Sequence, residues 1–115
     1  MAAEYSYKNF FNISEAMRIY NRLMPGPKFT LTDFNILCLV RSFNSSGSQF
    51  YMSNDQLADI LLATEKTIRT SINRLCDAGL IKKELISSKG RYLTYQSDNV
   101  NTFIKEMKLI AQELR

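Results

Sequence analysis

The sequence predicts a mainly α fold with one small β-hairpin. Three observations predict it. Apolar residues recur at spacings of three and four along most of the chain. Only residues 80–86 and 92–96, joined by Ser87-Ser88-Lys89-Gly90-Arg91, read as a pair of strands with a flexible tip. Between them and the chain centre, residues 53–79 carry a helix cap, a break, a second cap and a terminating glycine. A chain of 115 residues has the size of one domain and can bury a core without covalent staples.

The elements follow in order. Residues 1–12 hold Tyr5, Tyr7, Phe10 and Phe11 with no clean period, and read as an arm that packs on the domain or on a neighbour. From Ile13 a helical stripe of Ile13, Ala16, Met17, Tyr20, Leu23 and Met24 begins, with Ser14 placed to cap it. Pro25-Gly26-Pro27 stops it, because proline cannot continue the hydrogen-bond ladder. A second helix starts near Thr30, with Asp33 three residues on as a capping-box signal. Phe34, Ile36, Leu37, Cys38, Leu39, Val40 and Phe43 make it apolar nearly all round, as in a central buried helix. Residues 44–48 are a loop by composition, and 49–52 read as a short strand.

Ser53 opens a third helix, with Gln56 in place to cap reciprocally and Leu57, Ile60 and Leu61 as its inner face. A break falls at Leu62-Ala63. Thr64 caps a fourth helix, whose stripe is Ile68, Ile72, Leu75 and Cys76, and Gly79 suits the left-handed position after its end. After the hairpin, Val100, Phe103, Ile104, Met107, Ile110, Ala111 and Leu114 form a strong amphipathic helix. Helix, helix, short strand, helix, turn, helix, hairpin, helix is the order of a winged helix-turn-helix with extra N- and C-terminal helices. The division is a single domain over 1–115: an N-terminal arm and helix over 1–29, the winged core over 30–96 and a C-terminal helix over 97–115.

Composition excludes much. Histidine is absent, which removes the commonest general base and transition-metal ligand. Cys38 and Cys76 cannot make a zinc site alone and read as buried side chains in a reducing compartment. The four glycines stand singly, so no phosphate-binding loop exists. Neither an enzyme, a metal nor a cofactor is expected. No apolar run approaches the ~18 residues that span a bilayer, and residues 1–11 lack the pattern of a signal peptide. A cytoplasmic protein is expected, with no membrane partner.

Charge is segregated. The net charge is +4, and residues 64–95 account for all of it, with seven basic side chains against three acidic ones. The flanking segments balance. A local excess of this kind is a footprint for a polyanion. On a helix at about 100° per residue, Ile72 and Leu75 fall beside Ile68 on the inward side, while Lys66, Thr70 and Asn73 lie opposite, flanked by Arg69 and Arg74. One face held by the core and one face of donors and acceptors is what reading a DNA major groove needs. Thr64 can present its hydroxyl, with the first free backbone N–H groups, to a phosphate. Ser88, Lys89 and Arg91 at the hairpin tip would reach phosphates or the adjacent minor groove, and Lys82 and Lys83 would neutralise phosphates. Asp77, on the same side, argues mildly against contact at the end of the helix.

Ser53, Leu57, Ala58, Leu61, Thr64, Thr67, Ile68, Ile72, Leu75, Gly79, Leu80 and Ile81 carry a resemblance, over roughly residues 30–95. The segment resembles the winged-helix module of plasmid and phage replication initiators and replisome organisers of Gram-positive bacteria. Repressors and centromere-binding partition proteins share the pattern. The family usually has glycine in the turn where this chain has Leu62, so either the turn takes another geometry or the strain of a left-handed non-glycine residue is tolerated. The resemblance implies sequence-specific binding of double-stranded DNA in replication or maintenance of such an element, and the residues placed to make the contact are Thr64, Lys66, Thr67, Arg69, Thr70, Asn73, Arg74, Ser88, Lys89 and Arg91. Repression and partition are the alternatives, partition requiring a motor partner. A replication protein is the other expected partner. A protein-interaction module is the alternative of another class. The apolar terminal helices complete the core or form the seam of a homodimer, and the homodimer is favoured because symmetric pairs read repeated operators.

Overall fold

The computed structural model describes residues 2–87 and 90–113, with side chains for 11–86 and 90–113. Seven elements follow in order: α1 (Ala2–Leu23), α2 (Leu31–Ser45), α3 (Asn54–Leu61), α4 (Glu65–Asp77), β1 (Ile81–Ser87), β2 (Gly90–Tyr95) and α5 (Ser97–Glu113). The two strands form one antiparallel hairpin. The fold is therefore mainly α with a small β-hairpin. The chain divides into two compact units, one of Met1–Phe29 with Ser97–Arg115 and one of Thr30–Gln96.

In the second unit, α2 begins on a reciprocal cap. The Thr30 hydroxyl accepts from the Asp33 backbone N–H at 3.2 Å, and the Asp33 carboxylate accepts from the Thr30 N–H at 2.9 Å. Together they satisfy two of the donors that every helix start leaves open. Ile36, Leu37 and Val40 are fully buried, but Cys38 and Leu39 are only half-buried and Phe43 reaches solvent. The helix is thus central on one face rather than apolar-covered all round. Burial pushes the Cys38 thiol up to about 12, and both cysteines are free.

The Ser53 cap of α3 has the expected form, with Gln56 N–H donating to the Ser53 hydroxyl at 3.1 Å and Ser53 N–H to Gln56 Oε1 at 2.9 Å. Its inner face is Leu57 and Ala58, with Leu61 half-buried. Ile60, expected inside, is exposed, because an eight-residue helix packed on α4 through Leu57 and Ala58 turns that position outward.

The turn between α3 and α4 is made by Leu62 in the left-handed region, φ 53° and ψ 46°. The N–H groups of Leu62 and Ala63 both return to the Ala58 carbonyl. Leu62 thus occupies the conformation for which glycine is the usual residue, and the turn keeps its geometry at the cost of that strain. Thr64 then caps α4, accepting from the Thr67 N–H at 3.1 Å. At the other end Gly79, φ 75°, reverses the chain. Its N–H reaches Cys76 O at 2.9 Å and that of Leu80 reaches Leu75 O at 3.0 Å, closing the last carbonyls.

The hairpin pairs Ile81 with Tyr95 through Leu85 with Arg91, with an irregularity between Leu85 and Ser87. The expected strand at 49–52 contracts to one bridge, in which Leu93 N–H donates to Phe50 O at 3.0 Å. Phe50 is fully buried, with its ring edge-on to Phe43. Asn44 at the end of α2 accepts from the Tyr95 N–H at 2.7 Å and anchors β2.

In the first unit, α1 and α5 pack together. Residues 1–12 do not form a separate arm: α1 is helical from Ala2, and Ser14 lies inside it rather than at its start. No glycine or proline interrupts residues 2–23, so nothing stops the helix from running through. Ile13, Ala16 and Met17 of α1 and Val100, Ile104 and Met107 of α5 are buried. Tyr20, Phe29 and Phe103 form a ring cluster with centroids 5.0 to 5.8 Å apart. The Asn21 amide brackets the backbone of Phe29 with two 2.8 Å bonds. Among the described residues, no helix is long and apolar enough to cross a membrane.

Replacing Leu62 with glycine is expected to stabilise the protein by about 0.5–1 kcal/mol, because relief of strain exceeds the added freedom of the unfolded chain. A higher urea midpoint at unchanged m-value is the expected result; a lower midpoint would mean that the side chain packs.

Candidate nucleic-acid interface

The inward face of α4 is Ile68, Ser71, Ile72 and Leu75, all buried. Packing against α2 and α3 fixes the helix about its own axis. Thr64, Lys66, Thr67, Arg69, Thr70 and Asn73 are therefore turned outward, and all six are exposed. They differ in what they have left to offer. The Thr64 hydroxyl accepts from Thr67 N–H and donates to Thr67 Oγ1 at 3.0 Å. The Thr70 hydroxyl donates to the Lys66 carbonyl at 2.9 Å. Lys66, Arg69 and Asn73 spend no side-chain hydrogen bond or ion pair on the described residues. They form an open strip of two cations and one amide along the helix. Asp77, also exposed, ends it.

Arg74 is put to a different use from the one its position on the helical wheel suggests. Its Nη1 sits 2.9 and 2.7 Å from the two carboxylate oxygens of Asp33 on α2. Asp33 is fully buried, and the Arg74 side chain is only 22% exposed. The guanidinium is drawn inward by a carboxylate that has no water to solvate it. The Arg91 side chain is likewise turned toward the protein. β2 starts at Gly90, so Arg91 lies in the strand, opposite Leu85, and not in the tip. Its guanidinium donates to Met52 O at 2.6 Å and Asn54 Oδ1 at 2.8 Å, which ties the hairpin to the start of α3. Burial pulls its pKa below the ordinary arginine value. Ser88 and Lys89 lie outside the described residues. On β1, Lys82 pairs with Glu84 at 2.9 Å; that hydrogen bond raises the Lys82 pKa, and with Lys82 exposed and Glu84 only half-buried the pair adds little stability. Lys83 is exposed.

Beside the hairpin, an open groove of about 520 Å³ is lined by Tyr51, Asn54, Asp55, Glu65, Ile86 and Arg91 among others. Its lining carries the carboxylates of Asp55 and Glu65 beside the Arg91 guanidinium. The basic strip of α4 begins beyond Glu65.

A helix-turn-helix domain family matches residues 30–81. Solved structures of transcription regulators share the architecture. MepR, a transcription regulator of the Staphylococcus aureus multidrug efflux pump MepA, is 12% identical, with a TM-score of 0.53 over 99% of this chain and 81% of that one. BldR from Sulfolobus solfataricus is 18% identical, with a TM-score of 0.52 over 89% and 67%. Tm0710 from Thermotoga maritima is 14% identical, with a TM-score of 0.50 over 91% and 70%. The fold is a winged helix-turn-helix. The chain matches no curated protein sequence.

Sequence reading missed the inward use of Arg74 and Arg91 and the burial of Ser71. Arg74 and Asp33 are 41 residues apart, and no local pattern couples them. The signal that existed was indirect: Asp33 stands among apolar positions of α2.

Arg74→Ala is expected to cost about 3 kcal/mol, since it leaves a buried carboxylate uncompensated. Arg69→Ala, exposed and without a side-chain partner among the described residues, is expected to stay within about 0.5 kcal/mol of the parent. Thermal or urea unfolding of the two variants checks the contrast, and equal stabilities would show that the ion pair is not a structural clamp.

Proposed function

We propose that this protein binds double-stranded DNA sequence-specifically through α4 and regulates transcription. The observation that carries the reading is the strip of Lys66, Arg69 and Asn73: hydrogen-bonding side chains held outward by a buried opposite face, in the segment that holds the chain's whole charge excess. Arg can pair with guanine and Asn with adenine in the major groove. Thr64, Thr67 and Thr70 line the same face, and the backbone N–H groups at the start of α4 suit a phosphate. Ser88 and Lys89 carry the hairpin's contact with the backbone or minor groove. Arg74 and Arg91 hold the reading elements in place rather than touching DNA.

The described regulators of similar fold favour repression or activation at a promoter over replication or partition. The resemblance of residues 30–95 to replication initiators supports the narrower alternative, maintenance of a plasmid or phage. The protein acts as a homodimer through α1 and α5, a reading supported by Phe11 and Leu109, apolar residues of that unit that are 60% and 52% exposed. Two half-sites roughly one helical turn apart are then expected.

Selection of bound fragments from the surrounding DNA at two salt concentrations tests this. A defined repeat surviving moderate salt is expected. Retention of all fragments at low salt and none at moderate salt would leave only phosphate attraction. Lys66→Ala and Arg69→Ala are each expected to weaken binding by about 1–3 kcal/mol where the side chain meets a base, or to lower the salt slope by about 0.9 where it meets a phosphate. Neither is expected to change the unfolding midpoint. Unchanged affinity in both would remove α4 as the reading element.

A further inference from the structure

Leu62 has a conformation and an exposure that the isolated fold does not reward. Among the described residues it is the one non-glycine with positive φ, and its side chain is 93% exposed. The hydrogen bonds of the turn come from backbone N–H groups of Leu62 and Ala63, which any residue could supply. The side chain therefore brings strain and an apolar surface in water, with no packing in return. Strain of this kind persists where something outside the fold rewards it, and it clusters at binding sites.

We propose that Leu62 is a further DNA-contacting residue, whose isobutyl group seats against the apolar surface of the duplex beside the first turn of α4. This rests on the DNA reading above. The position supports it. Leu62 stands two residues before Thr64, the cap from which the exposed strip of Lys66, Arg69 and Asn73 runs. Ile60, at the end of α3, is exposed too, so the turn presents apolar surface next to the polar strip. Its side chain carries no charge and no hydrogen-bonding group. The duplex surfaces that suit a leucine there are uncharged: deoxyribose carbons or a thymine methyl. Glycine would relax the turn but give up the contact.

The test compares Leu62→Gly, Leu62→Ala and Leu62→Met with the parent on the duplex selected at moderate salt. Glycine and alanine are expected to weaken binding about tenfold, and methionine by no more than about twofold, as loss or retention of buried apolar surface dictates. The slope of affinity against salt is expected to stay unchanged in all three, because no counterion is involved. The glycine variant would at the same time be the more stable protein. Thymine-to-uracil replacement along the duplex then separates the two surfaces: a loss at one position places the contact on a methyl, and no loss places it on deoxyribose. Parent-like binding by the glycine and alanine variants, or a changed salt slope, would overturn the assignment to Leu62 alone. A parent protein that retards no duplex would overturn the DNA reading and this one with it.

Discussion

Asp33 is the residue on which the arrangement of the winged core depends. One buried carboxylate does two jobs. It closes the cap of α2 by accepting from the Thr30 N–H, and it holds the Arg74 guanidinium of α4 with both oxygens. A carboxylate excluded from water is costly unless every lone pair finds a donor. Here the donors come from two different helices, so satisfying the charge also fixes how they cross. Because α4 cannot rotate without breaking that pair, its opposite face is fixed too. The outward direction of Lys66, Arg69 and Asn73 follows from an interaction they take no part in.

The second constraint is the short connection between α3 and α4. Ser53 and Thr64 cap the two helices, and Leu62 alone makes the bend between them. Three neutral hydrogen-bonded devices thus set the angle at which α4 is presented, while Arg91 sets the position of the hairpin by bonding to Met52 and Asn54 at the start of α3. The arginines of this surface divide by environment. Arg74 and Arg91 are tied to acceptors of the protein, and Arg69 makes no side-chain hydrogen bond or ion pair among the described residues.

Much of this was legible in the sequence, and the boundary falls along physical lines. Caps and breaks are local: Thr30 with Asp33, Ser53 with Gln56, Thr64 and Gly79 each act within a few residues, and each appears where its pattern places it. The buried stripe of α4 is also local, because helical periodicity is. What the pattern could not give is which side chains on the flank of a helix turn inward. As basic residues in a basic segment, Arg74 and Arg91 look in sequence like DNA contacts. Their partners are 41 and 37–39 residues away in sequence, and only the fold brings them together. The start of the N-terminal helix is hidden for the opposite reason: aromatic residues without a period mask a segment that nothing interrupts.

In the proposed function the exposed strip of α4 reads DNA while Arg74 and Arg91 stay bound to the protein. The most direct measurement follows the arginine side-chain N–H resonances of the labelled protein as the selected duplex is added. The Arg69 signal is expected to move, together with the backbone amides of the first turns of α4, while those of Arg74 and Arg91 remain where they are. Movement of Arg74 or Arg91 with Arg69 unmoved would contradict it, and would mean that the clamp opens to supply the reading residues.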